Sequence, residues 1–491
     1  MNRQIAKLGA GLLVCYLILF AQLNRTTVFG AQRLKDNPEN TREIIRDYDG
    51  PRGSIATADG VVVARSVDTE AGSQFEQMRT YPEGELFAHV VGHYSLNLGS
   101  TGVEDTYNAE LVGRTLDLSF RDLDDLFVER DRVGDLTLTL RADAQAVARD
   151  ALGERRGSVV AIDPRTGEIL TMWSFPSYDP NAVASQDFAA ANDAFALFGA
   201  NEAKPLLAKA YRERYFPGST FKIVTAAAGL ESGDVTRDDP VYPAASQYVP
   251  PQTSRPLRNF GGSTCGGDLF EILRVSCNTA FAEMAIDLGA DAMIDTAESF
   301  GFNEDVPIDL PSPATSNYPT DFDQNLPALA QTGIGQNDVA ATPLQMAMVA
   351  GAVANGGAVM TPHVLQTVRD DEGTVVDTFE ANEWRRAMSE DTAATLRDAM
   401  IGVAENGTAT NLRIAGFEVG GKTGTAQLGT DPPRSHAWIV GFAGPPGGEA
   451  TVAVAVIVEG QEGASEQTGG RVAAPIARAV METILAGQGT G

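Results

Sequence analysis

Strand-forming segments lie at both ends of the stretch from residue 135 to the C-terminus, and this separation constrains the fold of the chain. Residues 157–162 and 168–173 flank the turn 163–167, which predicts an antiparallel hairpin. Strands are also predicted far downstream, at 437–443 and 451–459. Helical patterns occur at 219–231, 269–288, 343–355, 389–403 and 470–485. We therefore expect an α+β domain whose antiparallel sheet takes strands from both ends and encloses the helices.

The N-terminal region predicts a membrane anchor. Residues 8–23 read LGAGLLVCYLILFAQL, an uncharged run that reaches about 20 residues, enough to cross a bilayer, if Lys7 snorkels. The alternative is a cleaved signal peptide, but no small-residue cleavage site follows the run. Basic residues flank it on both sides, at Arg3 and Arg25 for example, so the positive-inside rule does not choose the orientation.

A small separate domain is expected between the anchor and the larger domain. Asp59-Gly60 lies between apolar runs, which predicts a β-hairpin. Residues 135–140 alternate in period two like a half-buried strand, and 142–152 form a helical pattern. The predicted division is a tail at 1–7, an anchor at 8–23, a small domain at 24–134 and a larger domain at 135–491.

Charge and side-chain chemistry argue against several functions. The chain has 37 Lys and Arg against 65 Asp and Glu, a net charge of −28. A surface this acidic repels phosphate, so no nucleic-acid partner is expected. Three cysteines and four histidines without clustered spacing leave too few ligands for a zinc site. We therefore predict no metal and no other cofactor.

The first candidate for chemistry is the segment Pro217-Gly218-Ser219-Thr220-Phe221-Lys222. It places a serine just after a tight turn and a lysine one helical turn later, so the amine can reach the hydroxyl. A lysine can act as base only if burial or a neighbouring cation lowers its pKa, and Lys422 is the candidate cation. Taken alone the spacing is weak, because a serine often lies near a surface lysine by chance.

Two further segments carry polar residues that suit a shared cleft. Ser276-Cys277-Asn278 offers a hydroxyl and a carboxamide within an apolar segment. Lys422-Thr423-Gly424-Thr425 precedes a turn and a strand, and its glycine suits an edge strand that receives an extended peptide. Taken singly, the first says little about function, and the second also fits an ordinary exposed strand end.

Together and in this order, the three segments resemble the S-x-x-K, S-x-N and K-T-G motifs of penicillin-recognising serine acyl-transferases. Residues 159–170 and 176–181 look like the start of a class B penicillin-binding protein transpeptidase domain, and 333–336, 342–345 and 355–357 resemble its segment before the third motif. Upstream, 52–55 and 102–104 resemble that family's non-catalytic pedestal, here short, as in the actinobacterial cell-division members. The resemblance implies a serine β-lactamase/transpeptidase-like fold, with helices on both faces of the sheet.

The resemblance implies a D,D-transpeptidase that cross-links peptidoglycan stem peptides ending in D-Ala-D-Ala. The implied catalytic residues are Ser219 as nucleophile, Lys222 as base, Ser276 as proton relay and Lys422 as a source of positive potential. The implied substrate-binding residues are Asn278, Thr423, Gly424 and Thr425. Alternatives are a D,D-carboxypeptidase or β-lactamase on the same fold, and a non-catalytic penicillin-binding sensor or scaffold.

The resemblance also implies a location and partners. The catalytic domain is expected outside the cytoplasm, on a single-pass anchor in the cell membrane with residues 1–7 cytoplasmic. β-Lactams are expected to acylate the same serine. No glycosyltransferase domain fits before the transpeptidase domain, so a separate glycan polymerase and the division or elongation machinery are expected partners.

The cysteines and the histidine beside the third motif leave alternatives open. Cys265 and Cys277 are 12 residues apart, and outside the cell such a pair can form a disulfide. The alternative is two independent buried thiols. Cys277 also fills a position where class A β-lactamases carry Asp, which disfavours a β-lactamase. His436 and Trp438 beside a site are more often packing residues than catalytic ones.

Overall fold

Helices and strands extend over the whole described chain, which in this computed structural model comprises residues 2–24, 42–115, 133–322, 325–431, 433–461 and 467–488. The helices are Asn2–Asn24, Arg42–Asp49, Ala88–Val91, Val103–Thr106, Asn108–Leu111, Ala142–Leu152, Pro180–Val183, Phe188–Ala200, Lys209–Arg212, Lys222–Ser232, Leu269–Arg274, Asn278–Ser299, Leu326–Thr332, Pro343–Ala354, Glu390–Asn406 and Gly469–Gln488. The strands are Ile55–Ala56, Val62–Asp68, Gln77–Thr80, Tyr94–Ser95, Gly99–Ser100, Asp135–Leu138, Gly157–Ile162, Ile169–Phe175, Tyr242–Ala245, Gln247–Tyr248, Leu257–Arg258, Cys265–Gly267, Ala358–Met360, Leu365–Arg369, Val375–Thr378, Glu383–Arg386, Glu418–Gln427, Ser435–Gly444 and Val452–Val458.

A five-stranded antiparallel sheet forms the centre of the larger domain. Its strands lie in the order Glu418–Gln427, Ser435–Gly444, Val452–Val458, Gly157–Ile162 and Ile169–Phe175. The predicted hairpin is present, and the two ends of the segment meet where Val452–Val458 pairs with Gly157–Ile162. The prediction that this sheet takes strands from both ends is therefore confirmed.

Helices cover both faces of the central sheet. Every residue of Val452–Val458 is buried, and successive side chains of a strand point to opposite faces, so both faces must be covered. Pro343–Ala354 packs on the inner strands, while Gly469–Gln488 packs on the sheet together with Ala142–Leu152. Burying these apolar side chains stabilises the domain by roughly 25 cal/mol per Å² of apolar surface. The predicted α+β class is confirmed.

A second sheet, of six strands, joins the N-terminal segment to the larger domain. Its strand Asp135–Leu138 runs parallel to Ile55–Ala56 on one side and antiparallel to Leu365–Arg369 on the other. The strand that was predicted to begin the larger domain thus lies in the same sheet as strands of the smaller domain. Backbone hydrogen bonds tie the two parts together at this point.

One predicted helix is interrupted at the second motif. The apolar pattern predicts a helix over 269–288, whereas the structure has Leu269–Arg274 and Asn278–Ser299, with Ser276 between them at a φ of 60°. A left-handed backbone conformation costs a non-glycine residue roughly 1–2 kcal/mol. The apolar periodicity continues through the break, so the sequence pattern does not reveal it. The break is what exposes the second motif to a cleft.

The N-terminal helix has the length and composition of a membrane-spanning segment. Within Asn2–Asn24, the stretch Arg3–Gln22 has a mean hydropathy of 1.9, and none of it is buried against the rest of the protein. Twenty helical residues extend about 30 Å, the thickness of the hydrocarbon core of a bilayer. The prediction of one long apolar helix at this end is confirmed.

Candidate active site

The three motifs meet at one cleft of about 1120 Å³ beside the strand Glu418–Gln427. The motif residues that line it are Ser219, Ser276, Asn278, Thr423 and Thr425. The side chains of Lys222 and Lys422 lie behind this lining and are fully buried. Residues far apart in the sequence are thus brought together at one cleft.

Ser219 lies on a turn that is held at both ends. The turn Gly218–Thr220 directly precedes the helix Lys222–Ser232. Gly218 has a φ of 54°, which glycine adopts without strain, and its N–H donates to the Gly335 carbonyl at 2.9 Å. The side chain of Thr220 donates to a backbone carbonyl at 2.8 Å. The serine is therefore half-buried on a fixed turn at the edge of the cleft.

The Lys222 amine lies beside the second motif. It donates to the Ser276 carbonyl at 2.7 Å and to Asn278 Oδ1 at 2.6 Å. Burial, and secondly the charge of Lys422, lower the pKa of Lys222 well below its usual value. A neutral amine has two N–H hydrogens, and in that form Lys222 donates one to each of these oxygens. Its lone pair is then available to accept a proton. Among the described residues, none of its hydrogen bonds goes to Ser219, so proton transfer requires a closer approach when substrate binds.

Ser276 connects the two buried lysines. Lys422 Nζ donates to Ser276 Oγ at 2.7 Å and to the Thr423 carbonyl at 3.0 Å. Burial lowers the pKa of Lys422 to about 7, so its charged and neutral forms coexist near neutral pH. Because Ser276 Oγ accepts from Lys422, its own hydrogen is available to Lys222 Nζ, 3.3 Å away. The three groups form a chain along which a proton can pass.

Asn259, which the sequence analysis missed, holds the second motif in place. Its side-chain oxygen accepts hydrogen bonds from the N–H groups of Asn278 at 2.9 Å and Thr279 at 3.0 Å. These residues begin the helix Asn278–Ser299, whose first N–H groups would otherwise need an N-cap side chain. Cys277 stands at the N-cap and makes no such bond, so a distant loop supplies the acceptor.

A disulfide restrains the same motif. Cys265 and Cys277 are joined, with their Cα atoms 5.8 Å apart. Cys265 belongs to the strand Cys265–Gly267, and Cys277 lies between Ser276 and Asn278. Of the two alternatives left open by the sequence, the structure has the paired cysteines. The bridge connects the second motif to the strand that follows the loop carrying Asn259.

The third motif forms the edge strand beside the serine turn. Among the described residues, Glu418–Gln427 pairs only with Ser435–Gly444, so its other edge has backbone groups available to an extended peptide. Thr423 Oγ1 donates to Thr408 Oγ1 at 2.6 Å. Thr408 also lines the cleft, and the sequence analysis missed it because it lies outside all three motifs.

His436 and Trp438 pack behind the site. Trp438 Nε1 donates to the Phe216 carbonyl at 3.0 Å, and His436 Nδ1 accepts from the Gly460 N–H at 3.1 Å. Both rings contact Tyr215 edge-on. Burial lowers the pKa of His436 to about 4, so its ring is neutral at pH 7. These contacts position the segment that leads into the serine turn.

Two protein families match the chain. The penicillin binding protein transpeptidase domain matches residues 157–482, and the penicillin binding protein A dimerisation domain matches residues 52–136. The first match spans more than half of the chain and contains all three motifs. The protein belongs to the family of class B penicillin-binding protein transpeptidases.

Individual relatives match over nearly the full length. Peptidoglycan D,D-transpeptidase PbpA of Mycolicibacterium smegmatis is 39% identical, over 99% of this chain and 99% of that protein. PbpA of Mycobacterium tuberculosis is 37% identical, over 99% and 100%. The solved structure of penicillin-binding protein A from M. tuberculosis as a ceftriaxone acyl-enzyme has a TM-score of 0.81 at 37% identity, covering 89% of this chain and 99% of that one. Its penicillin G acyl-enzyme has a TM-score of 0.79 at 38% identity.

Gly424 is required where the edge strand passes the serine turn. A Cβ at this position would lie 2.9 Å from the Pro217 carbonyl oxygen and 3.0 Å from Thr220 Cγ2. We expect Gly424→Ala to push the strand away from the turn, slowing acylation by a fluorescent penicillin about 10-fold or more and destabilising the fold by about 1–3 kcal/mol. Stopped-flow labelling and thermal denaturation measure these effects. Gly402→Ala is the control, since nothing lies within 4 Å of its added Cβ; equal behaviour of the two variants contradicts the prediction.

Proposed function

We propose that this protein is a peptidoglycan D,D-transpeptidase that cross-links stem peptides ending in D-Ala-D-Ala through an acyl-serine. The observation that carries the proposal is the position of Ser276 Oγ between two buried amines, 2.7 Å from Lys422 Nζ and 3.3 Å from Lys222 Nζ, in the cleft that Ser219 lines. Burial and the neighbouring charge of Lys422 favour the neutral form of Lys222, while Lys422, with a pKa of about 7, remains available as a cation near neutral pH. The activity named for the two mycobacterial relatives supports the same conclusion.

In acylation, Ser219 Oγ attacks the carbonyl carbon of the penultimate D-Ala while Lys222 takes the hydroxyl proton. The C–N bond to the terminal D-Ala then breaks. The proton reaches the leaving amine through Ser276, and Lys422 in its charged form supplies positive potential. We assign the oxyanion to the backbone N–H groups of Ser219 and Thr425, each of which contributes about 3–4 kcal/mol in comparable sites.

In the second half of the reaction, an amine from a neighbouring stem peptide attacks the ester carbonyl and gives up its proton to Lys222. The new amide bond forms as the C–O bond to Ser219 breaks, and Lys222 returns the proton to Ser219 Oγ, which restores the free serine and the neutral amine. Asn278, Thr423 and Thr425 bind the donor peptide, and Gly424 permits its close approach to the edge strand. β-Lactams acylate the same serine because their ring carbonyl occupies the position of the scissile amide.

Two features support a catalytic domain outside the cytoplasm. The apolar helix at Arg3–Gln22 is long enough to anchor the chain in the cell membrane as a single pass. The disulfide between Cys265 and Cys277 belongs in an oxidising compartment. We accordingly assign residues 1–7 to the cytoplasm, 8–23 to the anchor, 24–134 to a pedestal domain and 135–491 to the extracytoplasmic transpeptidase.

We further propose that the protein works with a glycan polymerase and with the division or elongation machinery. A transpeptidase acts on glycan strands that another activity has made. The two matching families are described as a transpeptidase domain and a dimerisation domain, and neither description includes glycan polymerisation. Co-purification of the full-length protein with a membrane polymerase, lost on deletion of residues 24–134, would support this partnership.

The decisive experiment follows the fate of the acyl group. The full-length protein in detergent is given a thioester analogue of the donor peptide and a D-amino acid as acceptor, and both products are quantified by mass spectrometry. We expect an aminolysis product that increases with acceptor concentration. Hydrolysis without aminolysis would favour a D,D-carboxypeptidase or β-lactamase, and labelling by penicillin without thioester turnover would favour a sensor or scaffold.

A further inference from the structure

The charge of the substrate cleft is opposite to that of the whole chain. Acidic residues outnumber basic ones by 65 to 37 in the sequence. Among the described residues that line the cleft, however, there are three arginines and no aspartate or glutamate. The arginines are Arg255, Arg258 and Arg471. Clustering one sign of charge in a cleft attracts ligands of the other sign.

Two of these arginines lie on the wall of the cleft that carries the second motif. Arg258 is the better fixed of the two. It belongs to the strand Leu257–Arg258, which pairs with Gln247–Tyr248. Its carbonyl accepts a hydrogen bond from Asn278 Nδ2 at 3.0 Å. The backbone of Arg258 is therefore held directly beside the side chain of Asn278, which we assign to binding the donor peptide.

The guanidinium groups on this wall have no anionic partner within the part of the chain that the structure describes. None of the ion pairs found there includes Arg255 or Arg258, and both side chains are exposed to the cleft. By contrast, Arg274 and Arg386 on other surfaces each pair with a glutamate. In so acidic a protein, two neighbouring arginines without carboxylates are a site where an external carboxylate can bind bidentately.

The terminal carboxylate of the donor peptide does not account for this wall. We assign that group to Thr423 and Thr425 on the opposite wall. Arg471 lies on that side as well, because its neighbour Gly470 approaches Thr423, with an ideal Cβ 3.5 Å from Thr423 Cγ2. Arg258 instead lies beside Asn278, and it would meet a part of the stem peptide that precedes the D-Ala pair.

We propose that Arg258 is a specificity residue that binds a second, internal carboxylate of the stem peptide. The favoured donor is an acidic peptide that keeps a free carboxylate on a residue before the D-Ala pair, and a peptide with that group amidated is a poorer substrate. This inference rests on the proposed function, since it concerns the same cleft and the same reaction.

The test compares two donor thioester peptides that differ only in whether the internal carboxylate is free or amidated. The acylation kcat/KM of the full-length protein is measured for both, with wild type, Arg258→Gln and Arg471→Gln. We expect wild type to prefer the free carboxylate about 10-fold or more, within the range of a hydrogen bond to a charged group. Arg258→Gln should remove this preference, because it should slow the peptide with the free carboxylate much more than the amidated one.

Arg471→Gln is the matched control, since it removes the same charge from the same cleft on the other wall. This variant should lower the acylation kcat/KM equally for both peptides and keep the preference for the free carboxylate, because both peptides retain the terminal carboxylate. If both variants lose the preference equally, the proposal is wrong, and the arginines act only through the general positive potential of the cleft. An unchanged preference in Arg258→Gln would also overturn it. Failure of the proposed function is distinguishable, because a sensor or scaffold would acylate with neither peptide, and a D,D-carboxypeptidase or β-lactamase would acylate but give no aminolysis product with a D-amino acid.

Discussion

Replacing Ser219 by alanine is expected to abolish both covalent labelling by a fluorescent penicillin and the cross-linking reaction. The ester can form only through a hydroxyl within reach of a neutral base, and Lys222 is the buried amine one helical turn from this serine. We expect acylation to fall by at least about 10³-fold, as on removal of a covalent nucleophile elsewhere. Gel fluorescence and the intact mass of the protein measure the loss directly.

Ser263→Ala provides a matched control, because this serine lines the same cleft and lies exposed on its rim. Among the described residues, its hydroxyl donates only to the Phe260 carbonyl, so the variant should label at the wild-type rate. Thermal denaturation should place both alanine variants within about 0.5 kcal/mol of the wild type, as for other partly exposed positions. Penicillin bound covalently to Ser219→Ala at another residue would overturn the mechanism.

The elements that the sequence predicted well are those whose signal is local. The hairpin over Gly157–Ile162 and Ile169–Phe175 is encoded by two apolar runs and one turn, so its prediction needed no tertiary information. The motifs at Ser219 and Lys422 were likewise recognisable because each is short and the order of all three is distinctive. The fold class followed from where the strands lay along the chain.

The parts that the sequence did not predict depend on contacts between distant residues. The φ of 60° at Ser276 interrupts an apolar pattern that is continuous in the sequence. Asn259 caps a helix that begins at Asn278, and Thr408 accepts a hydrogen bond from Thr423. Neither side chain lies within a motif, so only folding identifies them as part of the site. These supports matter because catalytic groups must be held within about 0.5 Å of a productive position.

The pH dependence of acylation is expected to have two limbs with separate origins. Lys222 must be neutral to take a proton, so the rate falls as the pH drops through its depressed pKa. In the proposed mechanism Lys422 contributes as a cation, so the rate should also fall as the pH rises through its pKa of about 7. The profile should therefore be bell-shaped, with its alkaline limb near pH 7 and its acid limb set by the lowered pKa of Lys222. Stopped-flow acylation by a fluorescent penicillin from pH 5 to 10 measures the profile.

Lys422→Gln separates the two limbs. Without a group that titrates near pH 7, the alkaline limb should disappear. The charge that helps to hold down the pKa of Lys222 is also lost, so the acid limb should move to higher pH. The maximal rate should fall about 10²–10³-fold, as on removal of one electrostatic stabiliser in other sites.

Lys204→Gln, at an exposed lysine paired with Glu213, should keep the wild-type profile. An alkaline limb that persists in Lys422→Gln would mean that another group titrates in that range, and the cationic role proposed for Lys422 would be wrong.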